Sequence, residues 1–522
     1  MIPGPSAGVN AGGSQEVPPA GRLKHRGMKS PKVTTNRTVD TSSLDAIVAD
    51  VIRPGMTDEQ KALALLAFFQ RTVYHYGWPY TRPEKEENWQ DPVKVINVHG
   101  YSLCGSQARV FGRLCARVFG DRNTRLMGFS EREPGLWHME HSPGAFLDSR
   151  LLQGFRATRR MGHSCFELRY GGRWRLIDPH VNFYAYHRDG RGIASAEEII
   201  ADPTLVTRPA RRVRGLMPCG DQGPVFHAST YTNWGPITRE VAPDDHVMDI
   251  TLRRGDTYTR YWDRRGPFRW FSEMDRRWDS DYLADGPRHI CEGDNPWRHY
   301  GNGCLLYRPR LKDASYRDGV SLEHGLAPPG RSGLHPASAR RRASVSFWVR
   351  LPYMAVASKL KWTGVRETGS DQLRIWIKDR EDRWHQVWQE PHTGLLRREL
   401  DLSPWAAGAY QYEVRFDLAA ARNPLHVALR DFSLETTFLL NYLALPRLLP
   451  GRNRVQVSVA DPKELKDEQL AVTYAWSDRE GEHEDTRIVA SSPHRYQLNV
   501  APVTTTPPEN PKYMRFLRMT VS

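Results

Sequence analysis

Hydrophobic residues recur at helical spacing in two stretches of the N-terminal half. The first stretch carries four such residues, Leu65, Phe68, Phe69 and Val73. The second carries six, Val110, Phe111, Leu114, Cys115, Val118 and Phe119. Thr57 and Gln60 have capping-box spacing before the first stretch, and Gly120 follows the second. The pattern therefore predicts two amphipathic helices, the second beginning near Leu103.

From Gly162 onward the hydrophobic period changes to two, which is typical of strands. The segments HSCFELRY and RWRLIDP are separated by Gly171 and Gly172, a strong signal for a tight hairpin. From about Val247 to the end, alternating segments rich in Val, Trp, Tyr and Phe are separated by Gly, Pro and Asp turns. This pattern predicts one or two antiparallel β-sandwiches.

These patterns divide the chain into four expected parts. Residues 1–40 are rich in Gly, Pro and Ser and predict a disordered tail. We expect a domain of helices and strands over 41–235, a β-rich linking segment or first β-sandwich over 236–340, and a C-terminal β-sandwich over 341–522.

The charge balance adds little to this picture. The chain has 522 residues and a net charge of +14, supplied mainly by arginine. We expect no nucleic-acid partner, because no recognition motif accompanies the charge.

No apolar run is long enough to span a membrane. No signal peptide is visible, so the chain is expected to be cytoplasmic as written, or secreted if its N-terminus is truncated. The compartment and the oligomeric state stay open.

The spacing of the six cysteines argues against a structural zinc site and against one disulfide. None form a CxxC pair, so we expect no structural zinc. We also expect no other metal and no cofactor. Cys104 and Cys115 fall on one predicted helix, roughly 16 Å apart at about 1.5 Å per residue, too far for a disulfide.

Cys104 lies where a helix begins, a position that lowers a thiol pKa. If Gly171 and Gly172 form a two-residue turn, Cys165 lies opposite Asp178. His163 and His180 then share the same face, since side chains alternate along strands. Asp178 is the diagonal neighbour of His163 and can orient its ring. The arrangement predicts a nucleophile (Cys104), a base (His163) and an orienting carboxylate (Asp178).

The segments LCGSQA, HSCFEL and GRWRLIDP resemble the transglutaminase-like superfamily, especially its bacterial branch. Cys104, His163 and Asp178 match its triad in order and spacing, and Glu167, Trp174 and Pro179 match as supports. The resemblance covers roughly residues 45–185. It departs from the family pattern at Cys165, where the family has an aromatic residue.

The resemblance implies an α+β, papain-like catalytic domain and a hydrolase or acyltransferase of amide bonds that works through an acyl-thioester. Tyr101, Gly105, Cys165 and His180 are the expected substrate-binding residues. The expected substrate is a protein, a peptide or a polysaccharide.

Two alternatives stay open. One is a non-catalytic protein that binds glycan or protein surfaces on the same scaffold, since a fold does not fix a function. The other is a polysaccharide-active enzyme using the same cleft, with the basic charge attracting uronate or sulfate groups.

Overall fold

The computed structural model describes residues 27–73, 90–100, 102, 104–130, 162–179, 182–202, 204–207, 233–236, 246–267, 300–503 and 513–522. In these residues the chain forms sheets of eight, five, four, three and two strands. Every strand pairing described is antiparallel. Most of the helical residues lie between positions 44 and 119.

The α-helices are α1 (Leu44–Val51), α2 (Asp58–Thr72), α3 (Pro92–Lys94), α4 (Cys104–Phe119), α5 (Ala196–Ala201), α6 (Thr204–Thr207), α7 (Ser403–Ala406) and α8 (Glu464–Asp467). The two predicted amphipathic helices are confirmed as α2 and α4. Thr57 and Gln60 form the capping box of α2. The apolar stripes of α2 and α4 meet at Phe69 and Phe111, whose ring centroids are 5.7 Å apart.

The strands are β1 (Met28–Lys29), β2 (Lys32–Thr35), β3 (Thr124–Ser130), β4 (Gly162–Tyr170), β5 (Arg173–Ile177), β6 (Asn233–Pro236), β7 (Thr251–Leu252), β8 (Asp256–Tyr261), β9 (Gly301–Tyr307), β10 (Val320–His324), β11 (Arg342–Arg350), β12 (Ala355–Arg366), β13 (Gln372–Lys378), β14 (Trp384–Gln389), β15 (Gly394–Asp401), β16 (Gln411–Ala419), β17 (Val427–Leu440), β18 (Gly451–Ser458), β19 (Leu470–Asp478), β20 (Gly481–Val489), β21 (His494–Val500) and β22 (Met514–Val521).

A four-stranded sheet in the order β5-β4-β3-β6 packs against α4. The contact is close at Gly112, where an added Cβ would lie 2.9 Å from the ring of Phe166. The Phe111 and Phe166 rings meet edge to face at 5.4 Å. Helix and sheet therefore share one hydrophobic core.

The largest sheet has the order β15-β12-β17-β9-β8-β22-β19-β20. A five-stranded sheet, β10-β11-β16-β13-β14, lies over the β12 and β17 end of it. Between them Phe347, Phe416 and Phe432 are fully buried, and the rings of Phe347 and Phe432 are 4.7 Å apart. Since large aromatic side chains contribute much of the apolar area that folding buries, this cluster is the centre of the first sandwich.

A three-stranded sheet, β2-β18-β21, covers the other end of the eight-stranded sheet. Its Val455 and Val457 belong to the same core cluster as Val472 and Met519 of the eight-stranded sheet. Residue pairing across the eight strands places Met519 on the same face as Phe432. The five- and three-stranded sheets therefore cover neighbouring parts of one face of the eight-stranded sheet.

The helical region joins the eight-stranded sheet through buried amides. The Asn441 side chain donates to the carbonyl oxygens of Thr72 (2.6 Å) and Ile96 (2.7 Å). The Asn97 side chain donates to the carbonyl of Thr41 (2.9 Å) and accepts from the Thr41 hydroxyl (2.7 Å). Because buried backbone groups need partners, these amides stabilise the junction by donating to carbonyls in its interior.

Two of the expected divisions differ from the described structure. Residues 28–35, inside the predicted disordered tail, form β1 and β2, because β7 and β18 supply hydrogen-bond partners distant in sequence. β9 precedes the expected boundary at 341 but pairs with β17, so one sheet crosses that boundary. In the described part of the chain, no helix is long and apolar enough to cross a membrane.

The predicted transglutaminase-like, papain-like fold is wrong. The described chain is built mainly from antiparallel sheets, and its largest units are the two sandwiches on the shared sheet. The motifs behind the prediction are a few residues long and specify local turns and a helix start, which occur in many folds. The expected antiparallel β-sandwiches in the C-terminal part are confirmed.

Candidate functional site

The start of α4 lies where the sequence predicts it. α4 begins at Cys104, and Gly105 follows in its first turn. A Cβ added to Gly105 would lie 3.5 Å from the Ser164 hydroxyl oxygen, which places the helix start against β4. The backbone therefore brings the segments around Cys104 and His163 to the same end of the sheet.

The predicted hairpin is confirmed. Gly171 and Gly172 form the two-residue turn, with φ angles of 59° and 77°, and Tyr170 pairs with Arg173. The β4–β5 pairing ends where Ile177 meets Phe166. Two-residue hairpin turns of this kind require positive φ at both positions, which explains the two glycines.

Asp178 directly follows β5. Its backbone N–H donates to the carbonyl of Phe183 (2.8 Å) and its carbonyl accepts from the Phe183 N–H (3.0 Å). Residues at alternate positions of an antiparallel ladder direct these groups away from the partner strand, so the placement of Asp178 opposite Cys165 stays a prediction. The Asp178 side chain is fully buried.

Cys165 is a core residue. It is fully buried, pairs with Met127 of β3, and belongs to a hydrophobic cluster with Met127 and Leu176. The same pairing sets His163 opposite Phe129. Cys165 therefore contributes to packing in this cluster.

Glu167 has a clear structural role. Its buried carboxylate accepts two hydrogen bonds from the Arg125 guanidinium (2.8 and 2.5 Å) and one from the backbone N–H of Ala196 (2.7 Å). Arg125 in turn lies 4.1 Å from the ring of Trp174. Through these contacts Glu167 and Trp174, which were expected to support the site, connect β3, β4, β5 and the start of α5.

Tyr101 and His180 lie outside the described residues, and of Cys104 and His163 only the backbone is described. The roles assigned to Cys104, His163 and Asp178, and to Gly105 as a substrate contact, stay predictions.

A second candidate surface lies on the outer face of the five-stranded sheet. Leu373, Ile375 and Ile377 of β13 point into the sandwich core, so the alternate residues point outward. The pairing aligns these outward residues in three rows: Ser344, Asp417, Arg374 and Gln389; Ser346, Arg415, Trp376 and Gln386; Trp348, Glu413, Lys378 and Trp384.

Arg415 is at the centre of this outer face. Its guanidinium carbon lies 5.0 Å from the ring centre of Trp376 and 4.5 Å from that of Trp384. Its Nε is 3.2 Å from a carboxylate oxygen of Asp417. A guanidinium over an aromatic ring is attracted by the negative ring face, so these contacts hold the two indoles in place.

The charges on this face are balanced. Lys378 lies 3.8 Å from Glu413 and 2.7 Å from Asp382. Burial raises the pKa of the Asp417 carboxyl, while the positive charge of Arg415 opposes that shift. On β11, Ser346 and Trp348 are buried, whereas Trp376 and Trp384 are half-buried and Gln386 is exposed. The accessible part therefore combines indole surface with amide, guanidinium, ammonium and carboxylate groups.

The sequence contained a signal for this surface. Strand alternation predicts that Trp376 and Trp384 lie on an outward face, but a Trp at alternating spacing is more often a core residue. Their juxtaposition with Arg415 depends on pairing between strands distant in sequence.

One group in the described part of the chain has the geometry to hold a metal ion. Ligand atoms of Asp478, Glu480 and His483 lie within 4.8 Å of one another. Asp478 already accepts hydrogen bonds from the backbone N–H groups of Glu480 and Ala501 and from the Trp476 and His483 side chains. Burial opposes ionisation, but these hydrogen bonds lower the pKa of Asp478 to about 2. The carboxylate is thus used to fix the β19–β20 turn.

No protein-family model matches the chain. No curated protein matches it.

Comparison with solved structures finds carbohydrate-active proteins. A glycosyl hydrolase family 2 member from Bacteroides cellulosilyticus matches 35% of this chain and 26% of its own, with 10% identity and a TM-score of 0.14. β-Glucuronidase 2 from Bacteroides uniformis matches 34% of this chain and 24% of its own, with 13% identity and a TM-score of 0.14. The tandem CBM22 domains of a Paenibacillus barcinonensis protein match 44% of this chain and 80% of their own, with 9% identity and a TM-score of 0.13. The chain spans less than two thirds of the length of either hydrolase.

The assignment to the transglutaminase-like superfamily is wrong, and so is the expected cysteine-nucleophile hydrolase or acyltransferase. The described fold is mostly antiparallel sheet, and no family model matches the chain.

Proposed function

We propose that this protein binds polysaccharide through the outer face of its five-stranded sheet. The observation that carries the proposal is the placement of Trp376 and Trp384 around Arg415 on a partly exposed sheet face.

The chemistry of this face suits a sugar ring. A pyranose has a face rich in C–H groups, which packs on the electron-rich face of an indole. Its hydroxyls each donate and accept hydrogen bonds, so they need neighbours of both kinds. Gln386 and Arg374 supply donors, and Glu413 supplies acceptors.

The sheet also positions these groups before the ligand arrives. The indoles lie on hydrogen-bonded strands, and Arg415 is held by Asp417 at 3.2 Å. Side chains that are already ordered lose less conformational entropy on binding. A rigid platform of this kind favours a polymer with a regular, extended surface.

Binding of the full chain to neutral polysaccharides, measured by affinity electrophoresis, tests the proposal. We expect Trp384→Ala to weaken retention about tenfold or more, since loss of a central aromatic contact in an interface costs about 2 kcal/mol. Trp384→Phe is expected to keep most of the binding, because it keeps an aromatic face.

Trp388→Phe is the matched control. Trp388 lies on the same strand but packs against the sandwich core. We expect this variant to bind like the parent protein. Equal retention of the parent and Trp384→Ala proteins on every polysaccharide, with both folded, would disprove the proposal.

A further inference from the structure

The three-stranded sheet presents an outer face of different character. Arg452, Arg454 and Gln456 of β18 alternate with buried Asn453, Val455 and Val457, so they point away from the core. On β21, Arg495 is paired with Gln456, and Gln497 with Arg454.

No carboxylate belongs to this sheet. Segments 27–39, 446–460 and 490–503, which contain the three strands and their flanks, hold lysines and arginines but no Asp or Glu. Among the described residues, Arg452, Arg454 and Arg495 form no ion pair with a carboxylate. Lys32 of β2 is an exception among the cations of this sheet, since its ammonium pairs with Asp40 just outside these segments. On the outer face of the five-stranded sheet, Asp417 and Glu413 lie beside the central cations.

A groove with a volume of about 380 Å³ lies over this sheet, with Asn36, Arg454, Gln456, Arg495 and Gln497 among its lining residues. Two contacts fix its polar groups. The Arg495 Nε donates to the Gln456 side chain (2.8 Å), and the Arg454 backbone N–H donates to the Asn36 side chain (2.7 Å). The groove therefore offers ordered amides between two guanidinium groups.

We propose that this groove binds an acidic polysaccharide, with Arg454 and Arg495 pairing with its carboxylate or sulfate groups. Guanidinium groups match both anions with two parallel hydrogen bonds. The amides between them suit the hydroxyls that separate the charges on such a chain. The proposal rests on the proposed function only in taking the ligand to be a carbohydrate.

The lining favours a polysaccharide over a single-stranded nucleic acid. Proteins that bind single strands without sequence preference stack bases on aromatic side chains. Tyr496, an aromatic residue of the groove lining, packs against the sandwich core. The outward positions of β18 and β21 carry arginines, amides and a serine.

The test uses the full chain with polygalacturonate and heparin as probes in affinity electrophoresis at two salt concentrations. We expect Arg454→Ala/Arg495→Ala to bind at least one probe about a hundredfold more weakly, at about tenfold for each lost charge-assisted contact. The remaining binding should depend less steeply on salt. Arg454→Lys/Arg495→Lys should retain an intermediate affinity, because it keeps the charge but loses the paired hydrogen bonds.

Arg317→Ala is the matched control. Arg317, just before β10, pairs with Glu323 at 2.8 Å and is not among the lining residues of the groove, so its loss is expected to leave binding unchanged. Trp384→Ala separates this proposal from the previous one, since it should keep polygalacturonate binding while losing neutral polysaccharide. The inference is overturned if the Arg454→Ala/Arg495→Ala protein binds like the Arg317→Ala protein, or if single-stranded DNA binds the groove more tightly than either probe.

Discussion

The arginine side chains of this protein differ in what surrounds them. Arg415 lies over two indoles and beside Asp417, so its charge is balanced and its plane is used for packing. Arg454 and Arg495 line a groove without a carboxylate on their own sheet. The excess of arginine in the composition therefore separates, at the residue scale, into structural arginines and arginines available to a ligand.

The cysteines also differ in their surroundings, and therefore in the expected reactivity of their thiols. Burial raises the pKa of the Cys115 thiol well above its ordinary value. Burial, with a smaller contribution from the negative charge of Glu435, raises the pKa of Cys304 to about 12. Cys165 is fully buried. Because the thiolate is the reactive form, these three cysteines should be inert in the folded protein.

We expect iodoacetamide at pH 8 to label Cys104 while Cys115, Cys165 and Cys304 stay unlabelled, as read by peptide mass spectrometry. Cys104 is expected to react because it begins α4, where free N–H groups stabilise a thiolate. Labelling in urea, where all six cysteines should react, is the control. If Cys104 reacts no faster than Cys115 in the folded state, the start of α4 does not activate this thiol.

At the scale of elements, the sequence predicted those parts whose information is local. The capping box at Thr57, the helix start at Cys104 and the turn at Gly171 and Gly172 are all specified by adjacent residues. Asp178 shows where such reasoning ends. Extending the hairpin by one residue pair sets it opposite Cys165, but no local pattern predicted that its outward backbone groups pair with Phe183.

The β4–β5 hairpin allows a test of whether two adjacent glycines specify its turn. Gly171 and Gly172 have positive φ and no atom within 4 Å of an added Cβ, so a substitution acts through the backbone alone. We expect Gly172→Ala to lower the free energy of unfolding by about 1 kcal/mol, measured by urea denaturation. Gly172→Asn should cost less, since asparagine tolerates this conformation. Equal stability of the alanine variant and the parent would contradict the assigned turn.

At the scale of the whole molecule, the arrangement of the sheets depends on pairing between segments distant in sequence, which local patterns did not predict. β2 pairs with β18, more than 400 residues later, and β9 pairs with β17 across an expected boundary. Strand alternation contains no information about which strands become neighbours. The prediction of one or two antiparallel β-sandwiches was therefore correct in kind, whereas the shared sheet and both outer faces could be identified only from the structure.

Asn441 is expected to couple the helical region to that sheet. Asn441→Ala would leave the buried carbonyls of Thr72 and Ile96 without their amide donor. We expect a loss of about 1–3 kcal/mol in the free energy of unfolding, measured by thermal or urea denaturation. Asn423→Ala is the control, since Asn423 accepts one bond from Leu425 at the surface. Similar losses in the two variants would show that the Asn441 contacts do not stabilise the junction.

The eight-stranded sheet also determines how the two proposed binding surfaces are placed relative to one another. Both covering sheets lie on the same face of it, so the surface around Arg415 and the groove around Arg454 are held by one continuous hydrogen-bonded scaffold. A polymer chain bound at one surface would meet the other at a high effective concentration without a flexible linker between them. Avidity would then favour chains that carry both neutral and charged stretches over short oligosaccharides that reach only one surface.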